Sequence, residues 1–482
     1  MENAGPIPNR EAFLAKDTVS YIWKGLQLPE HALKSLSLEG HGLGLPSSFK
    51  VGHLAQSTIG LSALTAALVY SSRHQSAVPR VTVPLTHAVI EFKSERLYVL
   101  DGKPTPSPWG PIGGLHKTSD GYVRIHDNFP VHRLGALELL GLPPNASRSD
   151  VSSQTQKWKS VDLEKEGIEK GLVISALRSY KQWDVLPQAS AIPDFPIILK
   201  RTSSVTSRTI SSSAGIDRCL RGLRVVEMSR IIAAPVAGKT LAAHGADVIW
   251  VTSPSLPDLP VLDRDLGRGK RTVQLDIKHP EEKTKLFDLL RTADVFIQGY
   301  RPGSLASHGL STADIIAINP NIVIGNMSAY GPYGPWAHNR GFDSLVQTCS
   351  GMNISETEHY GGGEPARPTP CQALDHAGGY LLATGIMATL YKRETGDGIY
   401  EVDVSLAGVM KYLRSLGQYP ERTGFECTDY SSPGEVEEYL ETRESGFGSL
   451  KAVKHSAKIE SVEVGWDIMP KPLGSDEPRW PL

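Results

Sequence analysis

The sequence predicts an α/β protein: a Rossmann-like, doubly wound parallel sheet forms a large domain, and a smaller α+β domain precedes it. Three observations predict this. From residue 217 onward, short apolar runs alternate with helical patterns, as in a parallel sheet buried on both faces. A helix–strand unit recurs in the two halves of the chain. A Ser- and Thr-rich stretch, 202–214 (TSSVTSRTISSSA), has little to bury and separates the halves as a flexible connection.

In the second half, 223–228 (LRVVEM) reads as a buried strand. Pro235 then suits the first turn of a helix that runs through Ala243, and Gly245 is placed to stop it. Residues 246–251 (ADVIWV) form the next strand. A helix at 280–291 leads to a strand at 294–298, and another strand lies at 322–326. In the first half, residues 115–142 read as a strand centred on Val123 and then a helix, and 168–183 as a further helical pattern. The tail from Glu421 onward predicts irregular structure ending in a proline-studded strap at 469–482, and 104–114 is a second soft region. At 482 residues the length predicts about three domains. The expected division is 1–113 as a partial first copy of the large domain, 114–200 as the small α+β domain, 201–216 as linker, and 217–482 as the complete large domain.

Lys and Arg number 50 and Asp and Glu 52, so the net charge is −2 and no basic surface favours nucleic acid. Four cysteines make neither a disulfide framework nor a zinc spacing, so no metal and a reducing compartment are expected. The start of the sequence lacks the order of a signal peptide, and the end carries no peroxisomal or prenylation signal. The longest apolar stretch, 59–70, is too short to span a bilayer, so the expectation is a cytoplasmic protein without a membrane partner.

Dinucleotide, P-loop, nucleophile-elbow and zincin motifs are absent. Polar residues instead gather after predicted strands, where an open parallel sheet binds ligands. They are 298–303 (QGYRPG), 328–335 (SAYGPYGP) and the loop 268–271 (RGKR). These segments are either solvated turns or an aromatic and cationic surface for a phosphorylated, partly flat ligand. Asp375 precedes a glycine-rich apolar helix. It either caps that helix, its pKa lowered by the helix N-terminus, or acts as a carboxylate nucleophile beside the small residues Ala377, Gly378 and Gly379. The backbone N–H groups of those small residues could stabilise an oxyanion. In the repeat, Gly60 falls opposite Gly379 and Gln56 opposite Asp375. Among the other polar residues, His87 reads as a core histidine on a strand, His376 as structural, and Cys349 and Cys371 as buried small residues.

The ordered blocks GLRVVEMSRIIAAPVAGKTLAAHGADVIWV, RGKRTVQLDI, ADVFIQGYRPGSLASHGLS, NPNIVIGNMSAYGPYGPW, GFDSLVQTCSGM and ALDHAGGYLLATGIMATLYKRETGDGIYEVDVSL resemble the class III CoA-transferase family of CaiB/BaiF type over 222–410. HKTSDGYVRIHDNF and EKGLVISALRSYKQWDVLPQ resemble that family's small domain, in an order rearranged or partially duplicated relative to the simple family chain. The resemblance implies an acyl-CoA:carboxylate CoA-transferase. Its substrates would be a coenzyme A thioester and a carboxylic acid acceptor, with no permanently bound cofactor, and it would form a homodimer.

Asp375 matches the aspartate that passes through an anhydride and a CoA thioester. Tyr300 and Arg301 match the step near the CoA adenine. Arg340 and Phe342 match the acyl/pantetheine site, with Gln347 on the same helix, and Lys270 and Arg271 match a basic pair placed for phosphate. Phe342 replaces the histidine of racemase members, which disfavours that alternative. Glu227 replaces an aspartate, and Trp250 and Thr252 stand where members often carry Lys and Glu. Gln56 cannot form an acyl anhydride. The remaining alternative is a non-catalytic CoA-binding member.

Overall fold

The computed structural model describes residues 7–203 and 217–481, so most of the predicted Ser/Thr linker lies outside the described residues. After a helix at Ala15–Gly25 and a strand at Leu36–Glu39, the first half has a long helix, α1 (Val51–His74), a strand, β1 (Val81–Pro84), which pairs with Leu36–Glu39, and a helix, α2 (Leu85–Glu91). His87 therefore sits on a helix and not on a strand: the β-prone residues of VTVPLTHAV end at Pro84, whose extended backbone opens α2. The apolar stretch 59–70 is part of α1, a 24-residue helix long and apolar enough to cross a membrane by length and composition, yet buried here within the protein.

A three-stranded antiparallel sheet follows: β2 (Gly114–Lys117), β3 (Tyr122–Ile125) and, after the helix α3 (Pro130–Leu139), β4 (Ile174–Ala176). It has its own core of Val123, Ile125, Leu137, Leu163 and Ile174. The helical pattern expected over 168–183 divides. One helix ends at Glu169, Gly171 turns the chain at φ 67°, and β4 pairs with β3 before a short helix at Tyr180–Asp184. Pairing with β3 overrides a local helical periodicity here.

The large sheet has seven strands. In chain order they are β5 (Ile197–Ser203), β6 (Arg224–Met228), β7 (Asp247–Thr252), β8 (Lys270–Gln274), β9 (Val295–Gln298), β10 (Val323–Ser328) and β11 (Ile399–Ser405). Their spatial order is β8-β7-β6-β9-β10-β11-β5, parallel throughout except for β5, which runs against β11. This is the expected α/β class, and helices at Ala233–Ala243 (here α4) and Pro280–Arg291 (α5) stand where the residues predicted them. Strand β5 begins inside the segment assigned to the small domain and runs into the expected linker. The strand order reverses at β6, whose neighbours are β7 and β9, and this reversal opens a crevice at the strands' C-terminal ends.

Further along come a short helix, α6 (Asp343–Cys349), the long helix α7 (Ala373–Glu394) and, after β11, α8 (Leu406–Ser415). The order helix, strand, helix in α7, β11 and α8 repeats that of α1, β1 and α2, and α1 and α7 pack along one another. Their apolar residues share one core that runs from Val19 to Trp466. In the first copy Gln56 is locked, donating to the carbonyls of Glu39 at 2.8 Å and Val83 at 2.9 Å.

The tail is more regular than its composition suggested. Leu440–Ser445 and Gly448–Val453 form a hairpin that extends a sheet begun at Val99–Leu100, and Lys458–Ile459 pairs with β1. These strands depend on partners from the first half, which local periodicity does not reveal. The final strap has no regular element but covers the edge strand β8: Thr272 N donates to Asp476 at 2.8 Å and Asp476 N to Thr272 O at 2.9 Å.

The glycines of α7 serve packing. A Cβ on Gly379 would lie 2.5 Å from Val236 and 2.6 Å from the carbonyl oxygen of Ala233, and one on Gly378 would lie 3.2 Å from Met327. Gly379→Ala should therefore destabilise the protein by about 1–3 kcal/mol through overpacking. The check is a lower urea midpoint at unchanged slope.

Candidate active site

The crevice at the end of β6 is where the polar chemistry collects. A small cavity there is lined by Ile231 and Ile232 after β6, by Phe342, Asp343 and Ser344 at the start of α6, by Asp375 in α7, and by Glu95, Trp109 and His126 from the first half. Ile231 holds a φ of 70°, a left-handed conformation that a β-branched residue seldom adopts, and it also lines the adjoining cleft with Arg230 and Phe129.

Asp375 is not the cap of α7. The helix begins at Ala373, and the carboxylate at its N-terminus belongs to Asp343. Asp343 Oδ2 accepts the N–H of Leu374 at 2.8 Å and that of Asp375 at 3.1 Å, and Oδ1 accepts from Gln347. Asp343 is 1% exposed and Asp375 6%. Burial raises the Asp343 carboxyl to about 6, opposed by those three donors. Asp375 lacks such compensation. Burial, then the neighbouring Asp343 and Glu95, push its carboxyl well above the ordinary range, so the lowering expected from the helix terminus does not occur.

Glu95 behaves oppositely: burial acts to raise it, but His376, whose Nε2 lies 2.9 Å from Glu95 Oε2, and Arg96 outweigh that and hold it ionised. The site thus contains a Glu95 held toward its ionised form, an Asp343 that takes the helix N-terminus, and an Asp375 pushed toward its neutral form. No donor among the described residues hydrogen-bonds the Asp375 side chain. The backbone N–H groups of residues 377–379, expected as oxyanion donors, lie within α7 and are engaged in its hydrogen-bond ladder.

The predicted binding residues separate into three groups. Phe342 faces the cavity and stacks on His126, ring centroids 4.1 Å apart. Tyr300, Arg301 and Arg340 gather outside it with Arg230, which stands over the ring of Phe129 at 4.3 Å. Arg340 donates to the Gly171 carbonyl at 2.5 Å and Arg301 to that of His338 at 3.2 Å. Burial first, then repulsion from Arg301 and Arg230, lowers the Arg340 pKa, so the three guanidinium groups feel one another.

The third group is turned to other uses. Gln347 is buried behind Asp343, donating to it and accepting from Asn353 and Thr369, both at 3.0 Å. Lys270 is fully buried, its ammonium 2.9 Å from Glu227 Oε1 and 2.8 Å from the Pro235 carbonyl, so it is no phosphate contact. Arg271 enters the edge strand β8 beside Asp247, three strands away from β9, which leads to Arg301. A basic pair read from a loop has become the first two residues of a strand.

Sequence reasoning missed Glu95, His126 and Arg230 as site residues. Arg230 lies two residues past the end of β6, at the switch point of the sheet, a position that could have flagged it. Glu95 and His126 come from the other half of the chain, and no local pattern ties them to Asp375.

Residues 220–426 match CoA-transferase family III. The acetyl-coenzyme A transferase nodX of Hypoxylon pulicicidum is 28% identical over 333 residues, covering 65% of this chain and 56% of that protein. The CaiB/baiF CoA-transferase family protein ZK892.4 of Caenorhabditis elegans is 34% identical over 206 residues, 42% of this chain and 58% of that protein. The succinyl-CoA:glutarate CoA-transferase of Mus musculus is 32% identical over 201 residues, 39% and 45% of the two chains. The chain spans about half the length of these relatives.

Ionisation of Asp375 should govern any nucleophilic reaction at this site, so the rate should rise with pH through its elevated pKa. Asp343→Asn removes the adjacent negative charge while keeping a carbonyl for the helix N–H groups. The rising limb of the pH–rate profile should then move to lower pH.

Proposed function

With residues 220–426 matching CoA-transferase family III, we propose that this chain transfers coenzyme A between an acyl-CoA and a carboxylic acid, with Asp375 as nucleophile. The observation that carries this reading is a cavity-facing carboxyl, free of hydrogen bonds to described residues, at the crevice where the sheet order reverses.

Ionised Asp375 attacks the thioester carbonyl carbon. The C–S bond breaks, the CoA thiolate leaves, and a mixed anhydride remains. The thiolate then attacks the Asp375 carbonyl of that anhydride, releasing the donor carboxylate and forming an aspartyl-CoA thioester. An acceptor carboxylate attacks this thioester in turn, expelling thiolate and forming a second anhydride. Attack of the thiolate on the acceptor's acyl carbon yields the new acyl-CoA and restores Asp375. No net proton is exchanged after Asp375 ionises. The thiolate must stay in place between steps, which a narrow cavity favours.

The anionic body of coenzyme A needs cations outside that cavity. Arg230, Arg301 and Arg340 supply them beside the aromatic surface of Tyr300 and Phe129, and bound phosphates would relieve their mutual repulsion. Phe342 offers no titrating group where racemase members carry a histidine, which speaks against two-base proton exchange. A cavity-facing Asp375 speaks against a purely binding role.

Incubation with a panel of acyl-CoAs, then hydroxylamine, then peptide mass spectrometry should find Asp375 converted to its hydroxamate, and Asp375→Asn should abolish CoA exchange. Unmodified Asp375 across the panel with CoA still bound would overturn the reading. Arg301→Ala and Arg340→Ala should each raise the half-saturating acyl-CoA concentration about tenfold, the loss of one charge-assisted contact, with little change in the saturating rate.

A further inference from the structure

Acyl transfer at Asp375 creates an oxyanion on the substrate carbonyl, and the donors expected for it, the backbone N–H groups of residues 377–379, are engaged within α7. The cavity wall offers one other candidate. His126 is 4% exposed, and its Nε2 is buried with no hydrogen-bond partner among the described residues. Its ring is held on three sides. Phe342 stacks on one face at 4.1 Å with the planes 9° apart, Trp109 meets it edge-on at 5.3 Å, and Nδ1 lies 3.2 Å from Ser344 Oγ. All four residues line the cavity that holds Asp375.

We propose that His126 donates its Nε2–H to the oxyanion formed when Asp375 attacks a thioester or anhydride. The inference rests on the transferase reading above. A buried donor without a partner is costly unless something completes it, and an oxyanion in the cavity would do so. Ser344 donating its hydroxyl hydrogen to Nδ1 leaves the ring hydrogen on Nε2. Burial, then His132 and Arg124, lower the His126 pKa to about 3, so the imidazole is neutral and donates without surrendering a proton. In the step itself the C–O bond to Asp375 forms, the carbonyl π pair moves onto oxygen, and Nε2–H bonds that oxygen. The pair returns as the thiolate or carboxylate leaves. No proton changes hands. The donor arises from the first half of the chain and the nucleophile from the second.

The test measures hydroxylamine-trapped Asp375 in single turnover, over the acyl-CoA panel, for the wild type, His126→Phe and His126→Gln. His126→Phe should slow the saturating rate about 100-fold while the half-saturating concentration moves less than about threefold, as for removal of one oxyanion donor. His126→Gln places an amide N–H near the Nε2 position and should recover at least about tenfold of that loss. Unfolding midpoints of both variants are measured alongside. A His126→Phe protein that melts normally and traps Asp375 at the wild-type rate overturns the proposal and leaves the transferase reading intact. His126-dependent deuterium wash-in at the acyl α-carbon in heavy water also overturns it, because the ring would then act as a base. A wild type that never traps at Asp375 overturns both.

Discussion

The site depends on where one carboxylate sits. Asp343, not Asp375, occupies the N-terminus of the long helix and takes two of its free N–H groups. A helix terminus is the best place in the fold for a buried negative charge. Once Asp343 holds it, Asp375 in the same first turn has no donor for its side chain and a neighbouring charge against it. The result is a cavity-facing carboxyl pushed toward its neutral form, which on ionising would be a poorly solvated carboxylate. Gln347, Asn353 and Thr369 form the layer behind Asp343 that keeps it there.

Around this pair the charges are sorted by depth. Glu95 with His376 closes the inner wall, and the arginines stand outside the cavity. Under the proposed transfer reaction, the near-neutral chain would recognise a polyanion through these few guanidinium groups and not through a basic surface. Other cations serve the frame: Lys270 and Glu227 pair between two strands of the sheet, and Lys239 and Arg268 pair with Asp265 in the layer beside it, all buried.

Much of the large domain was legible because parallel strands buried on both faces write themselves as continuous apolar runs. The helix at 280–291 and the strands around it follow from such patterns alone. What was not legible depends on distant partners. The tail hairpin needs Val99–Leu100, and β4 needs β3. The same division applies to the site. Asp375, Phe342 and the Tyr300–Arg301 step stood out in the sequence and sit at or beside the crevice. Lys270 stood out too but lies buried against Glu227, because a lysine at the start of a strand looks the same in sequence whether it faces solvent or a buried carboxylate. His126 and Glu95 join the cavity only through tertiary folding of the first half against the second.

The first half repeats the helix–strand–helix order of the second, with a hydrogen-bonded Gln56 opposite Asp375. Its helix α1 braces α7, and the segment after it delivers Glu95, Trp109 and His126 to the cavity. The most direct test of the account is infrared difference spectroscopy of the resting protein against Asp375→Asn at neutral pH. The account predicts a protonated carboxyl C=O band in the wild type that is lost in the variant and that titrates only well above the ordinary carboxylate range. A spectrum with no such band, showing Asp375 already ionised at neutral pH, would contradict it.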